Sequence, residues 1–401
     1  MQVVERIREV PEGQRVVAAP GAASPACECH PEPIFGCSFW KGRVALFAIL
    51  KALGIGPGDR VLVPGYTCFV VPSAVRFTGG EPVYADIDPL TYNVSVESLA
   101  AAYDARVKAV VVQHTYGIPA DAGAIGQWAR GKGIAVIEDC AHALGSRYRF
   151  ADGAWSPVGT VSDAAFFSSQ WTKPVSTGLG GWVFSGDSEL LARVQRFHDR
   201  ECVAPSFGEV GLLAAQVAVR QVFSSSWAFW LAKSVYQKLY LRGLLVGTST
   251  PEELQGQKPA QYAKRMSAFQ HWLLQRRLAQ TALVEHRRRL KTFYDRALVA
   301  AGLPIVRIPD YADAVLLRYP VRIGNKARAM AQARRRWIEL GDWYRQPVDP
   351  PGEACDDSFG YAFGMCPEGE RAAREVINLP MHAGIGERQA EGIVKLVKEL
   401  A

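Results

Sequence analysis

The sequence predicts an α/β fold: a large domain on a mainly parallel sheet, joined to a smaller C-terminal α+β domain. Three observations lead there. Between residues 43 and 201, short runs rich in valine and isoleucine alternate with helical stretches. That is the pattern of a parallel sheet covered on both faces. From Tyr262 onward the pattern changes to long helical periodicity with scattered shorter strands. At 401 residues and 49% apolar composition, the chain is long enough for two cores.

Residues 1–35 are rich in proline, alanine and glycine and read as an N-terminal arm. Arg43–Leu53 has helical periodicity, closed by the glycine stop and turn of Gly54-Ile-Gly-Pro-Gly-Asp59. Val61–Pro64 reads as a strand and Val70–Phe77 as a helix. Pro82–Asp86 is the next strand, and Ser95 is placed to cap a helix over Val96–Ala105. Val107–Gln113, Ala120–Lys132 and Ile134–Glu138 continue as strand, helix and strand. Ala164–Ser168 and Gly181–Phe184 extend the sheet, and a helix covers 188–201. Beyond Tyr262, one long helical pattern runs from about Ser267 to Ala300, and a terminal helix covers about 386–400. The expected domains are the arm (1–35), a large domain (36–255) and a small C-terminal domain (256–401).

A net charge of +7 is modest for this length. It is partly local, in His286-Arg287-Arg288-Arg289 and Arg334-Arg335-Arg336, both inside helical patterns. Solvated helix faces explain these runs better than nucleic-acid binding, and no nucleic-acid module is recognisable. Eight cysteines are scattered along the chain, and the first residues carry Glu5, Arg6, Arg8 and Glu9 with no apolar run. Reduced thiols in a cytoplasmic enzyme are expected. Cys27, Cys29 and His30 do not have zinc-knuckle spacing, and no metal site is expected.

The chemistry sits in two stretches, Val136-Ile-Glu-Asp-Cys-Ala-His-Ala143 and Phe166-Phe-Ser-Ser-Gln-Trp-Thr-Lys173. In open α/β sheets, ligands bind beyond the C-terminal ends of the strands. Asp139 ends one apolar strand, and Ser168 and Lys173 follow another. Alone, each has a plain reading, as a turn aspartate or a surface lysine. Together they are what a pyridoxal phosphate (PLP) enzyme needs. The lysine forms a Schiff base with the cofactor, and the aspartate pairs with its pyridinium nitrogen. Ser168 is placed to bond the cofactor phosphate, and Gly178, Gly180 and Gly181 let the backbone approach a ligand. Gly42-Arg43 opens a helix, whose N-terminus is a ready anion site. His114, Tyr116, His382, Trp343 and Tyr344 read at least as well as packing groups around the site.

These residues fall within motifs that resemble the DegT/DnrJ/StrS-type sugar aminotransferases, which are fold-type I PLP enzymes. The motifs are Gly42-Arg43-Val-Ala-Leu46, Gly54-Ile-Gly-Pro-Gly-Asp59, Val63-Pro-Gly-Tyr-Thr67, Asp86-Ile-Asp-Pro89 and His114-Thr-Tyr-Gly-Ile-Pro-Ala-Asp121. Glu138-Asp139 with His142, Ser168 with Lys173, Tyr262 to Ser267, and Leu379-Pro-Met-His382 follow in the same order. The resemblance implies a sheet of seven-stranded type and a homodimer. It implies Lys173 as the cofactor-bound lysine and proton shuttle, and Asp139 at the pyridine nitrogen. His142 lies against the ring or its hydroxyl, and Ser168 with the Gly42 and Arg43 amides holds phosphate. Cys68 stands where the family usually has a ring-stacking aromatic, with Phe69 after it and Tyr66 before it as the other candidates. Ala263 replaces an asparagine that the neighbouring subunit often supplies, and Lys264 is the candidate substitute at the phosphate. A lysine at 173 favours transamination over dehydration. The implied donor is glutamate and the implied acceptor a nucleotide-linked keto sugar. The alternatives are a hydrophobic or lipid-linked ketone, other PLP chemistry such as dehydration, and a non-catalytic regulatory homologue.

An apolar helical insert at about 205–255 departs from the family. Within 210–247 the only charges are Arg220, Lys233, Lys238 and Arg242. Its longest charge-free run, 221–232, is shorter than the about 18 residues of a membrane span. Three readings stand. The favoured one is extra helices in a subunit interface or over the site. The others are a basic amphipathic surface giving peripheral membrane contact, and a lid for a hydrophobic acceptor.

Overall fold

The computed structural model describes residues 35–223, 246–349 and 359–400. Nearly all of the expected arm, with Cys27, Cys29 and His30, lies outside the described residues, as does 224–245 of the insert.

In chain order the first strands are β1 (Ser38–Phe39), β2 (Arg60–Pro64), β3 (Thr67–Cys68), β4 (Glu81–Ala85) and β5 (Val107–Gln113). Next come β6 (Ala135–Asp139), β7 (Arg147–Arg149), β8 (Trp155–Pro157), β9 (Ala164–Ser168) and β10 (Gly181–Phe184). Seven of them form the central sheet, in the order β1-β10-β9-β6-β5-β2-β4. Neighbours from β4 to β9 run parallel, while β10 and β1 close one edge antiparallel.

Helices cover both faces: α1 (Gly42–Ala52), α2 (Val70–Thr78), α3 (Val96–Ala102), α4 (Ala122–Arg130) and α5 (Ser188–Glu201). Successive side chains on a strand point to opposite faces. Val61, Val63, Ala109, Val111 and Ile137 pack with α1, α2 and α5. Leu62, Val110, Val112 and Val136 pack with Leu99 of α3 and Ile125 and Ala129 of α4. Two buried faces are why these strands read as unbroken apolar runs. The caps sit where the sequence puts hydroxyls and carboxylates. Ser95 accepts the Ser98 N–H, and Asp187 accepts those of Glu189 and Leu190. The helix expected from Ala120 begins at Ala122, because Asp121 is its N-cap and accepts the Ala124 N–H.

The long helix expected over 267–300 is two helices, Ala268–Leu278 and Ala282–Ala300. They serve different cores. Leu274 and Leu278 pack with Phe167 and Trp182, whereas Leu290, Tyr294 and Leu298 pack with Tyr319, Leu379 and Val394. A continuous helix would place Leu290 about 120° around its axis from Leu278. The break at 279–281 re-aims the second row.

In the C-terminal part, β11 (Ala312–Asp313) pairs with β7, and β12 (Arg318–Arg322) pairs antiparallel with β14 (Val376–Pro380). Between them in sequence, β13 (Val348–Asp349) runs parallel to β3, with Val348 opposite Thr67 and Asp349 opposite Cys68. The terminal helix is Glu387–Leu400. The first part of the insert is α6 (Phe207–Phe223). Its Leu213 and Val217 pack on Trp171 and Leu179, so this helix covers the loop that carries Lys173. Among the described residues, no helix is long and apolar enough to cross a membrane.

Candidate active site

Asp139 and Ser168 are the last residues of β6 and β9, which are adjacent and parallel, with Asp139 opposite Phe166. Asp139 is buried, and its Oδ1 accepts the Ala141 N–H at 2.9 Å. Oδ2 has no hydrogen bond among the described residues. Burial raises the Asp139 pKa, opposed by the Ala141 N–H and by the positive charge of Lys173.

Glu138 belongs to a separate brace. Its Oε1 accepts the N–H groups of Val161 (3.0 Å) and Ser162 (2.9 Å). Its Oε2 accepts the Gly159 N–H (2.8 Å) and lies 3.0 Å from His114 Nε2. His114 Nδ1 accepts the Ala120 N–H at 3.0 Å, so the ring proton sits on Nε2 and is donated to Glu138. Cys140 lies with these two in a grouping that could ligate a metal. Both histidine nitrogens and both carboxylate oxygens are already engaged, and burial pushes the Cys140 thiol well up. His114 and Glu138 form a structural brace behind Asp139, with the Cys140 thiol beside them.

Lys173 lies in the loop between β9 and β10. Ser169 and Thr177 clasp the loop, with Thr177 N–H to Ser169 O at 2.7 Å and their hydroxyls 2.7 Å apart. The two helices over 268–300 hold it from outside. Gln270 Nε2 donates to Leu179 O at 2.7 Å, Arg277 donates to Ser176 O, and Arg287 to Pro174 O at 3.5 Å. Burial lowers the Lys173 pKa, Cys68 and Asp139 oppose that shift, and Arg318 and Arg43 add to it.

The N-terminus of α1 meets the end of β9 through glycines. A Cβ on Gly42 would lie 2.8 Å from Ser168 Cβ, and one on Gly181 would strike the Gly42 backbone. Ser168 Oγ, at this helix N-terminus, has no hydrogen bond among the described residues. The Arg43 guanidinium is committed elsewhere, to Glu253 Oε1 (2.8 Å) and Ser249 Oγ (3.1 Å). Lys41 shares Glu253 at 3.1 Å. The Arg43 side chain is therefore turned away from Ser168, while its backbone lies in the first turn of α1. Glu253 was not apparent from the sequence; the capping box it forms with Thr250 is its one local signal.

Two expectations change here. Lys264, expected at the phosphate, pairs with Glu209 at 2.6 Å. Phe69, a stacking candidate, lies in the core beneath Arg43 with its ring 5.4 Å from Phe359. Tyr66 is tied to Tyr116, hydroxyl to hydroxyl at 2.7 Å. Of the three candidates, Cys68 borders Lys173; burial raises its pKa, and Lys173 is among the charges that oppose this.

His142 Nδ1 accepts the Tyr116 N–H at 3.3 Å, leaving its proton on Nε2. Burial holds its pKa well below the ordinary value, helped by Lys173 and Arg318, so the ring is neutral. It stacks on Trp343, with centroids 5.4 Å apart. Lys173 Nζ lies 5.1 Å from the same indole centroid, and the Arg318 guanidinium carbon 3.9 Å from it. Trp343 is thus central to the site. Lys326 anchors its neighbours, donating to the carbonyls of Asp342 and Tyr344. Arg318 has no signal in the sequence beyond its place at the start of a short strand. His382 is exposed and bonded to Glu339.

The set has the chemistry PLP requires. It contains a buried carboxylate with a free oxygen, a lysine of depressed basicity and a hydroxyl at a helix N-terminus. A sequence profile of the DegT/DnrJ/EryC1/StrS aminotransferase family matches residues 35–212 and 238–398. The "Pleiotropic regulatory protein" of Geobacillus stearothermophilus is 28% identical over 91% of this chain and 84% of its own length. UDP-2-acetamido-2-deoxy-3-oxo-D-glucuronate aminotransferase of Pseudomonas aeruginosa is 29% identical, covering 85% and 79%. The crystal structure of S. venezuelae DesV, in complex with a ketimine intermediate, matches with a TM-score of 0.68 at 26% identity. That match covers 90% of this chain and 84% of DesV. Spr1654 from Streptococcus pneumoniae, solved in a PLP-form, matches at 0.69 with 19% identity, over 91% and 86% of the two chains; it speaks for the fold alone.

Proposed function

We propose, because the chain belongs to the DegT/DnrJ/EryC1/StrS family of PLP-dependent aminotransferases, that it moves an amino group from glutamate to the ketone of a nucleotide-linked sugar. The observation that carries this reading is the convergence of Lys173, Asp139 and Ser168 at the ends of two adjacent parallel strands. The choice of acceptor is supported by the family and by the Pseudomonas relative, whose name specifies a UDP-linked 3-oxo sugar.

Ser168 and the first amides of α1 would hold the cofactor phosphate, Asp139 the ring nitrogen, and Lys173 the aldehyde carbon. Bound PLP supplies a ring that draws electrons away from the carbon beside the amine. Asp139, whose burial favours the neutral acid when alone, ionises beside a cationic ring nitrogen, and the same burial strengthens that pair. Lys173 is pushed the other way. Burial raises its neutral fraction, and a neutral amine can attack a carbonyl and carry a proton between two carbons. His142, neutral with its proton on Nε2, could donate a hydrogen bond to the bound cofactor without adding charge.

A second acceptor class, a hydrophobic or lipid-linked ketone, is favoured by α6. It covers the Lys173 loop while Phe207 is 98% exposed and Val219 53%. The protein is also proposed to act as a homodimer, which light scattering tests. The direct test is spectroscopic. Protein loaded with PLP should show a visible band that L-glutamate bleaches and that Lys173→Ala abolishes. A wild-type protein with no such band, or one retained in Lys173→Ala, would refute the enzyme reading. A glutamate-dependent screen of nucleotide-linked keto sugars against hydrophobic ketones then separates the two acceptor classes.

A further inference from the structure

Two donors face the same region beside Lys173: the half-buried Arg318 guanidinium, which has no anion partner among the described residues, and the buried amide of Asn378. Arg318 on β12 pairs with Pro380 of β14, and Pro320 pairs with Asn378. Arg318 and Asn378 are therefore diagonal neighbours on one face of that sheet. Asn378 is 1% exposed, and its Oδ1 accepts the Trp343 N–H at 2.9 Å. That bond fixes the amide's orientation and leaves buried Nδ2 with the Tyr116 hydroxyl as its one near acceptor among the described residues, outside good hydrogen-bond geometry. The Arg318 side chain is half-buried, with Nε fully so, and makes no hydrogen bond or ion pair among the described residues. The two side chains meet at Gly341, where a Cβ would lie 2.6 Å from Arg318 Nη1 and 3.1 Å from Asn378 Cβ.

A guanidinium partly withdrawn from water with no anion beside it is costly, so arginines in such places are normally paired. The neighbouring acids Glu339 and Asp342 favour its charge only from beyond ion-pair distance. Glu339 bonds to His382, and neither Glu339 nor Asp342 forms an ion pair with Arg318. The indole under the guanidinium is the one that stacks on His142 and borders Lys173. A guanidinium fork matches a carboxylate, and an amide N–H adds a second donor for the same group.

We propose that Arg318 and Asn378 form a carboxylate-binding subsite that orients the substrate at Lys173, with Trp343 as its floor. This rests on the aminotransferase reading. The carboxylate could come from the amino donor or from an acid group on the keto acceptor, and the chemistry of recognition is the same.

Glutarate, which carries two carboxylates and no amine, is the probe. It is titrated calorimetrically, with PLP present, into the wild type, R318M, R318K and N378D. Binding should weaken at least about tenfold in R318M, the loss expected for a hydrogen-bonded charge. It should recover in part in R318K. N378D places a carboxylate of the chain's own beside Arg318 and should weaken binding as R318M does. Equal binding by the wild type and a folded R318M or N378D would overturn the proposal. Half-reactions then identify the source. A KM raised for glutamate alone assigns the subsite to the donor. A KM raised for a carboxylate-bearing keto sugar, but not for its uncharged counterpart, assigns it to the acceptor. Unchanged KM values for all three would again overturn the proposal. If the wild type shows neither a cofactor band nor reaction with glutamate, the aminotransferase reading fails instead, while the glutarate comparison still decides the subsite.

Discussion

Glu138→Gln exchanges one buried oxygen for an NH2 group and should destabilise the protein by about 3 kcal/mol or more. Each carboxylate oxygen accepts two hydrogen bonds: Val161 and Ser162 N–H on Oε1, Gly159 N–H and His114 Nε2–H on Oε2. Whichever way the glutamine amide turns, its NH2 meets two donors, so two bonds are lost. His114 cannot relieve the clash by moving its proton, because its Nδ1 must accept the Ala120 N–H. A hydrogen bond to a charged group contributes about 1.5–3 kcal/mol, so two give about 3–6 kcal/mol before relaxation. The assay is urea unfolding of cofactor-free protein, followed by circular dichroism and fluorescence, with the m-value checked for constancy. A Glu138→Gln protein within about 0.5 kcal/mol of the wild type would show that the brace carries no stability.

Gly42→Ala should weaken PLP binding by at least about tenfold without abolishing folding, since its Cβ would press on Ser168 and on Phe167 O at the phosphate end. Fluorescence titration with PLP checks this, and an unchanged affinity would remove the α1 N-terminus from the site. Lys41, held at about 8 first by burial and then by Arg43, gives a pH signature. Its folded pKa lies below the unfolded value, so between about 8 and 10.5 the unfolded chain binds more protons. The stability of the wild type relative to Lys41→Met should therefore rise across that window, by an amount on the order of 3 kcal/mol at most. Parallel urea curves from pH 7 to 10.5 measure it, and a flat difference would contradict the assigned environment.

The parallel sheet was legible because both of its faces are buried. Val61–Pro64, Val107–Gln113 and Ala164–Ser168 needed no periodicity to stand out. The same pattern located Asp139 and Ser168, since strand ends are where such sheets bind ligands. What escaped depends on partners far away in sequence. Lys264 looks available until Glu209, 55 positions earlier, takes its charge. Cys68 and Phe69 differ because β3 ends at Cys68 and α2 follows, with Phe69 turned into the core at the helix start. Arg318 and Trp343 reach the site through tertiary pairing that leaves no local pattern. The break at 279–281 was hidden because Ala279, Gln280 and Thr281 include neither glycine nor proline.

The pairing of β3 with β13 bears on the order in which this protein can be made. Tyr344 N–H reaches back 278 positions to the Tyr66 hydroxyl, and Val348–Asp349 completes a ladder with Thr67–Cys68. At a synthesis rate of 5–20 residues per second, roughly 15–60 s separate the two halves of that wall. The central sheet can assemble in the interval, because β1 to β10 are all translated first. The pocket around Cys68 cannot. A chain stopped before 349 would therefore keep Lys173, Asp139 and Ser168 yet lack one side of their enclosure, leaving that site open to water where the full chain closes it.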